Sequence, residues 1–253
     1  MSIKSPAKSW FESWFDSPYY HLLYSNRDDN EADAFLGRLL SEISAGPKSD
    51  VLDLACGAGR HARVMSKLGH NVTGLDLSVE SIAKAKSISN TEEYLVGDMR
   101  TFNLGQSFDC IFNLFTSFGY FEDINDNLKV LKRINEHLDD DGTFVLDYFN
   151  SVNVLAKLLP YEEKEMNNVH FSISKDVRNG HICKGIKIID GEVEQSFEER
   201  VQLFHFEDFR TMLESAGFQI ETVFGSYSLD SLTDDSPRLI IVAKKKRNAP
   251  IVD

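Results

Sequence analysis

The sequence predicts an α/β protein with a mainly parallel sheet, an antiparallel β insertion and an N-terminal helical cap. From Asp50 onward, short apolar runs alternate with helical patterns, which is typical of successive βα units. A glycine-rich break follows the first apolar run. Later, over residues 161–204, strand-like runs are separated by Asn-Gly and Asp-Gly pairs, which favour tight hairpins.

The first part of the chain contains the βα units. Ser78 is the expected N-cap of the second helix, and Asp139–Gly142 is predicted to be a turn. The helix over 124–138 is amphipathic. In chain order the predicted elements are strand 51–55, helix 60–68, strand 72–75, helix 81–85, strand 94–96, strand 108–113, helix 124–138 and strand 143–149.

The remaining elements complete one predicted domain. Gly217 is the expected C′ glycine of the last helix. The elements are strands 169–173, 181–189 and 192–204, helix 207–216, and strands 219–224 and 238–243. The predicted organisation of residues 1–253 is a cap over 1–45, helical at 34–43, a core over 46–160 and 205–247, and a β insertion over 161–204.

Composition excludes several classes of function. The chain has 253 residues and a net charge of −13, which argues against nucleic acid as a partner and against an anionic membrane surface. Its 3 cysteines are widely separated, and neither a disulfide framework nor a metal site is indicated. No apolar run resembles a secretion signal or a membrane span, so we expect a cytoplasmic protein.

A glycine loop follows the first strand. Gly57, Gly59 and Arg60 belong to a G-x-G-x-x-A pattern, in which the backbone can approach a ligand and the helix N-terminus favours an anion. Asp76 ends the next strand, where a carboxylate can accept hydrogen bonds from ribose hydroxyls. Together these features predict a site for an adenosine-containing cofactor.

Two further acidic residues favour S-adenosylmethionine over a dinucleotide. Asp53 lies in an apolar strand beside the loop, where it would repel a pyrophosphate and attract an ammonium or sulfonium group. Alternatively, Asp53 caps loop amides. Asp98 and Met99 follow the third strand and are candidates for contacting the adenine amino group and ring face. They could equally serve a turn and the core.

These residues resemble the motifs of class I S-adenosylmethionine-dependent methyltransferases. The segments around Asp53 to Arg60, around Asp76 and around Asp98 are similar to the family's first three motifs in order. The resemblance implies a doubly wound, Rossmann-like sheet of seven strands with the last antiparallel. It also implies that Ala55 is part of the cofactor loop, that Leu77 lies near adenine and that Asn113 lies near the methionyl part. The insertion and aromatic cap are similar to small-molecule methyltransferases.

Aromatic residues mark a candidate acceptor pocket. Ligands of such sheets bind beyond the carboxyl ends of the strands, so the segments after the fourth and fifth strands are expected to line it. Core packing alone would explain about half of these rings. The candidate acceptor contacts are Tyr19, Tyr20, Phe115, Phe118 and Tyr120, with Tyr24 at the cofactor and Arg27 or Arg60 at its carboxylate.

Methyl transfer depends mainly on alignment, and a base is required only if the acceptor carries a proton. Tyr148, His170 and His181 are the candidates, although a lone histidine on a strand is more often structural. The predicted function is therefore methylation of a small-molecule nitrogen, oxygen or carbon nucleophile. The alternatives are an NAD-dependent oxidoreductase and a non-catalytic cofactor-binding protein. The β insertion is a candidate homodimer contact.

Overall fold

The computed structural model describes residues 9–25 and 29–246 of the chain. Its helices are α1 (Trp10–Phe15), α2 (Pro18–Leu23), α3 (Asp29–Glu42), α4 (Arg60–Lys67), α5 (Val79–Ile88), α6 (Ile124–His137), α7 (Ser151–Ala156) and α8 (Phe206–Ser215). Its strands are β1 (Asp50–Leu54), β2 (Asn71–Asp76), β3 (Glu93–Val96), β4 (Phe108–Asn113), β5 (Leu138–Phe149), β6 (Tyr161–Met166), β7 (Val169–Arg178), β8 (His181–Asp190), β9 (Val193–Gln202), β10 (Phe218–Phe224) and β11 (Arg238–Lys245).

The chain divides into two compact units, and the predicted domain boundaries stay a prediction. The smaller unit takes its described residues from Met1–Arg27 and Leu158–Leu203, and the larger from Asp28–Lys157 and Phe204–Asp253. Residues 1–45 are predicted as one cap, but they contribute to both units. No helix in the described ranges has both the length and the apolar character needed to cross a membrane.

The larger unit contains a seven-stranded sheet in the order β10-β11-β5-β4-β1-β2-β3. Neighbouring strands are parallel except at β11, which runs antiparallel to β5 and β10. The predicted seven-stranded sheet with an antiparallel last strand is thus confirmed. The strand order reverses at β1: β2 and β3 lie on one side of it, and β4 and β5 lie on the other. In open sheets of this kind, ligands bind where the strand order reverses.

Helix α3 packs into the core of the larger unit. Its buried residues recur at the i, i+3, i+4, i+7 spacing of an apolar helix face. They are Ala32, Phe35, Leu36, Leu39 and Leu40, and they pack in one cluster with Met65 of α4 and Val51 of β1. This helix extends the predicted helix over 34–43 toward the N-terminus.

The smaller unit is built on a four-stranded antiparallel sheet in the order β6-β7-β8-β9. The predicted turns are confirmed: Asn179 and Gly180 have φ values of 51° and 73°, as in a type I′ turn, and Gly191 has a φ of 59°. Strand β6 is additional to the three predicted strands. Trp14 of α1 and Leu23 of α2 pack against apolar residues of this sheet, so α1 and α2 bury one of its faces.

Strand β5 begins earlier than predicted, because residues 139–142 belong to it rather than to a separate turn. Phe108 of β4 pairs with Leu138, and Cys110 pairs with Thr143. Four residues of β5 therefore stand opposite the single residue Asp109, and the strand pairing is irregular there. This irregularity allows an extended backbone to contain a sequence that is typical of a turn. The short helix α7 also lies outside the predicted elements.

Gly217 follows α8 with a φ of 85°, as predicted for a C′ glycine, and an added Cβ would lie 3.4 Å from Nδ2 of Asn135. We expect Gly217→Ala to lower the free energy of unfolding by about 1–2 kcal/mol, because L-residues are strained there. Gly37→Ala is the control: Gly37 lies inside α3, and an added Cβ meets nothing within 4 Å. It should raise stability by about 0.5–1 kcal/mol. Urea unfolding measures both, and equal losses would contradict the expectation.

Candidate functional site

The loop after β1 is held against the end of β2. The backbone amides of Ala55 and Cys56 donate to the carbonyl oxygen of Leu75 at 2.7 and 3.1 Å. The amide of Gly57 donates to Oδ2 of Asp76 at 2.7 Å. These three bonds fix the loop at the carboxyl edge of the sheet, as expected for a backbone that contacts a ligand.

Gly59 begins α4 as a left-handed N-cap, with a φ of 73°. Tyr94 of β3 packs directly against it, and an added Cβ would lie 2.6 Å from Cζ of Tyr94. The Tyr94 hydroxyl donates to the Gly59 carbonyl oxygen at 3.4 Å. Gly59 is therefore required both by its backbone conformation and by this close contact, so the loop and β3 have a fixed relative position.

Asp53 of β1 is almost fully buried, with 1% of its surface exposed. Burial raises its pKa to about 7; a hydrogen bond from the Ala62 amide opposes the rise, and the nearby charge of Asp76 adds to it. Within residues 9–25 and 29–246, Oδ2 of Asp53 has no hydrogen-bond partner. The sequence predicts an ionised Asp53, whereas the protein alone holds it partly protonated near neutral pH.

Asn113 ends β4, the strand beside β1, and its side chain is fully buried. Nδ2 donates to the carbonyl oxygens of Leu54 and Ser117 at 3.1 and 3.3 Å. Oδ1 has no partner among the residues that the structure describes. Asp53 and Asn113 thus contribute two buried, unsatisfied acceptor atoms at the point where the strand order of the sheet reverses. Such atoms cost free energy unless a donor binds to them.

The candidate adenosine contacts follow β2 and β3. Asp76 is half-buried, and its Oδ1 accepts from the Ser78 amide at 2.8 Å. Leu77 and Met99 are half-buried. Asp98 already accepts several hydrogen bonds from Arg100, whose Nη2 lies 2.6 Å from its Oδ2. Although burial opposes the effect, these bonds lower the pKa of Asp98. Its contact with adenine stays a prediction, since Arg100 occupies both oxygens.

The aromatic candidates after β4 and β5 fall into two groups. Phe115 and Tyr120 are half-buried, and the Tyr120 hydroxyl donates to the Thr116 carbonyl oxygen at 2.5 Å. Phe118 has no exposed surface and packs 5.8 Å from Phe209 between ring centroids. This packing explains Phe118 as a core residue. Tyr148 is also fully buried, and burial raises its pKa well above the ordinary value, which opposes its predicted role as a base.

A buried ion pair near these residues is not among the features that the sequence predicts. Asp147 of β5 has 1% exposure, and Arg238 of β11 lies 2.7 Å from its Oδ1. Tyr227 also donates to Asp147. The available signal was the position of Asp147, which interrupts an apolar strand as Asp53 does. Its partners are 80 and 91 residues away in the chain, and the sequence did not indicate that they meet it.

The tyrosine candidates of the N-terminal segment lie in the smaller unit. The Tyr19 hydroxyl donates to Oδ2 of Asp190 at 3.0 Å, and Tyr20 packs 5.0 Å from Tyr24 between ring centroids. The Tyr24 hydroxyl donates to Oε1 of Glu199 at 2.8 Å and accepts from Lys184. Their roles at a cofactor or acceptor stay predictions. Arg27, the other candidate of this segment, lies outside the described residues.

The two candidate histidines lie at opposite ends of the β7–β8 hairpin. His170 pairs with Ile189, whereas His181 pairs with Arg178 beside the turn. The Nδ1 atom of His181 is 2.9 Å from the carbonyl oxygen of Asn179. Since a strand rises about 3.3 Å per residue, the histidines are too far apart to act on one atom. The two histidines are therefore not close to each other in the structure.

The comparisons with known proteins identify the family. A family model described as a methyltransferase domain matches residues 27–223 of the chain. The chain belongs to this methyltransferase-domain family. The match confirms the predicted class of enzyme and decides against the oxidoreductase alternative. In the described ranges, no group of three or more His, Cys, Asp or Glu residues could hold a metal ion.

Relatives of this methyltransferase include YqeM of Bacillus subtilis (strain 168), a methyltransferase by name, which is 26% identical over 81% of this chain and 88% of the relative. A dTDP-3-amino-3,4,6-trideoxy-alpha-D-glucopyranose N,N-dimethyltransferase of Streptomyces venezuelae is 26% identical over 71% of this chain and 79% of the relative. The fold is similar to an S-adenosylmethionine-dependent methyltransferase structure from Clostridium acetobutylicum ATCC 824, with a TM-score of 0.78, 22% identity, and coverage of 90% and 96%.

The cofactor of this methyltransferase is S-adenosylmethionine. The residues of the larger unit fit such a group. The unsatisfied oxygens of Asp53 and Asn113 suit its cationic part, because both are buried acceptors. Asp76, which accepts from the Gly57 and Ser78 amides, is the predicted acceptor for the ribose hydroxyls, since a carboxylate can accept about four hydrogen bonds.

We expect the affinity for S-adenosylmethionine to depend on pH through Asp53, whose pKa is raised to about 7. The cation favours the ionised carboxylate, so binding releases a proton. Affinity should therefore fall by up to about ten-fold per pH unit below this pKa and level off above it. Asp53→Asn should bind more weakly, by about 1–3 kcal/mol, and without this dependence. Calorimetry from about pH 5.5 to 7.5 tests both. Parallel pH profiles would contradict the assignment.

Proposed function

We propose that this methyltransferase methylates a nucleophilic atom, nitrogen in the first instance, on a small organic molecule. The observation that carries the proposal is the aromatic segment 115–121, which begins two residues after Asn113, whose Oδ1 has no partner among the described residues. The half-buried rings of this segment, Phe115 and Tyr120, would then line the space beside the cationic cofactor group, whereas Phe118 belongs to the core. The Streptomyces venezuelae relative, named as an N,N-dimethyltransferase of an amino sugar, supports nitrogen.

Binding and orientation are the main tasks of the proposed site. Asp53 and Asn113 would hold the cationic part of the cofactor, and Asp76 its ribose. When bound, S-adenosylmethionine supplies a methyl group on a sulfonium for in-line displacement by the acceptor. The half-buried ring of Phe115 would form part of the acceptor wall, where it excludes water and limits the poses of a small molecule.

A strong base is not part of the proposed mechanism. The phenol of Tyr148 is protonated at neutral pH, as an ordinary tyrosine already is, and burial raises its pKa further. A neutral amine needs no base before it attacks, and its proton can leave to water after transfer. A net charge of −13 further supports a small acceptor over a nucleic acid.

The proposed function is tested by a search for turnover. We expect one or more members of a panel of primary amines, amino sugars, hydroxy acids and quinols to yield S-adenosylhomocysteine and a product heavier by one methylene. Asp76→Ala is the control, because losing the ribose acceptor should weaken cofactor binding by about 1–3 kcal/mol and slow every reaction at low cofactor concentration. Activity confined to a protein or transfer RNA acceptor would contradict the proposal.

A separate prediction concerns the histidines. With an amine acceptor, His181→Gln should leave kcat within about three-fold of the parent value, because general-base catalysis would be worth far more. In the structure His181 already contacts the Asn179 carbonyl in the hairpin turn. His170→Gln is the matched substitution at the other end of the hairpin. A loss of about a hundred-fold in either variant, with a shifted pH–rate profile, would identify a base and contradict this expectation.

A further inference from the structure

The segment after β4 contains two adjacent residues in a strained backbone conformation. Phe115 and Thr116 have φ values of 59° and 63°, and neither is a glycine. Left-handed residues other than glycine are costly, and they persist only where their surroundings hold them firmly. The contacts around these two residues therefore indicate what the fold keeps in place at this point.

Both strained residues are held by Asp147 at the end of β5. The Phe115 amide donates to Oδ2 of Asp147 at 2.8 Å, and the Thr116 amide donates to the Asp147 carbonyl oxygen at 2.9 Å. Arg238 reaches the same segment, with Nη2 donating to Oγ1 of Thr116 at 3.1 Å. Side chain and backbone of one residue thus bind two successive amides.

Asp147 is itself held from two sides. Nε of Arg238 donates to Oδ1 at 2.7 Å, and the Tyr227 hydroxyl donates to Oδ2 at 3.0 Å. Asp147 has 1% exposure and Arg238 has 16%. A buried ion pair of this kind often stabilises a fold no more than apolar residues of similar size would. The position of this ion pair beside Phe115 and Thr116, and not its contribution to stability, therefore indicates its role.

The ring of Phe115 is also fixed from the side of the cofactor loop. The guanidinium carbons of Arg60 and Arg238 lie 5.5 and 5.8 Å from its centroid. Arg60 is the first residue of α4, directly after the glycine loop. Tyr227 in turn packs 4.4 Å from Phe35 of α3 between ring centroids. The Phe115 ring is therefore in contact with the cofactor loop, and the Tyr227 ring is in contact with the core.

We propose that Asp147, Arg238 and Tyr227, which we call the clamp, are positioning residues for the methyl acceptor. They hold Phe115 and Thr116 in the left-handed conformation, so that the Phe115 ring is a rigid wall that selects acceptors by size and shape. The proposal rests on the proposed function, because it requires that the acceptor bind beside this segment. It adds a specificity determinant contributed by strands β5 and β11 and by the segment between β10 and β11.

The experiment removes the clamp without leaving a buried charge. The double variant Asp147→Leu with Arg238→Met replaces the ion pair by apolar side chains, and Tyr227→Phe removes one hydrogen bond. Ile134→Val in the buried face of α6 is the control for a general loss of stability. Each protein is examined by residue-resolved hydrogen exchange of the amides over 113–121, by S-adenosylhomocysteine binding and by steady-state kinetics with the best panel amine.

In the double variant we expect the Phe115 amide to exchange at least about ten-fold faster, because it loses its acceptor. The KM for the amine should rise by about ten-fold or more, with kcat and S-adenosylhomocysteine affinity within about three-fold. Tyr227→Phe should raise KM by about three-fold, and it decides the question if the double variant does not fold. The Ile134→Val control should change none of these quantities.

Three outcomes would overturn the inference or its basis. Unchanged exchange at Phe115 in the double variant would show that the clamp does not hold the segment. Faster exchange with an unchanged KM would show that the segment does not contact the acceptor. Absence of turnover by the parent protein with every panel member would overturn the proposed function, and the exchange measurement would still decide whether the clamp exists.

Discussion

The hydrogen bond from the Gly57 amide to the Asp76 carboxylate is the interaction on which the site depends. It joins the loop after β1 to the end of β2, while Asn113 joins the end of β4 to the carbonyl of Leu54. Three neighbouring strands are therefore tied together at their carboxyl ends. Among the described residues, Oδ2 of Asp53 and Oδ1 of Asn113 have no hydrogen-bond partner there, so this part of the sheet suits a cationic ligand better than a pyrophosphate.

Much of the fold could be predicted because its signals are local. The apolar spacing of α6 predicts its extent to within one residue, and strand β4 is predicted with its observed bounds. The glycine loop and Asp76 lie within 20 residues of each other, so one supersecondary unit brings them together. The Asn179-Gly180 turn likewise fixes the register of β7 and β8, and that register already determines how far apart His170 and His181 must be.

Three features could not be predicted, each for a different physical reason. Asp147 and Arg238 are 91 residues apart and meet because β11 runs antiparallel beside β5. Strand β6 escaped prediction because its sequence is mostly charged and its residues are largely exposed at a sheet edge. The engagement of Asp98 by Arg100 is a local contact, but a carboxylate beside an arginine is equally compatible with a ligand contact, so the sequence left the choice open.

The smaller unit is built from two segments that are distant in the chain, and this affects how it folds during synthesis on the ribosome. Its helices α1 and α2 emerge first, but the sheet that buries Trp14 and Leu23 is complete only at β9, which ends at Gln202. At a translation rate of about 5–20 residues per second, roughly 10–40 s pass between the synthesis of these apolar side chains and the synthesis of Gln202. Throughout that interval the nascent chain presents an aromatic segment that chaperones can bind, and folding of this unit cannot be completed in the order of translation.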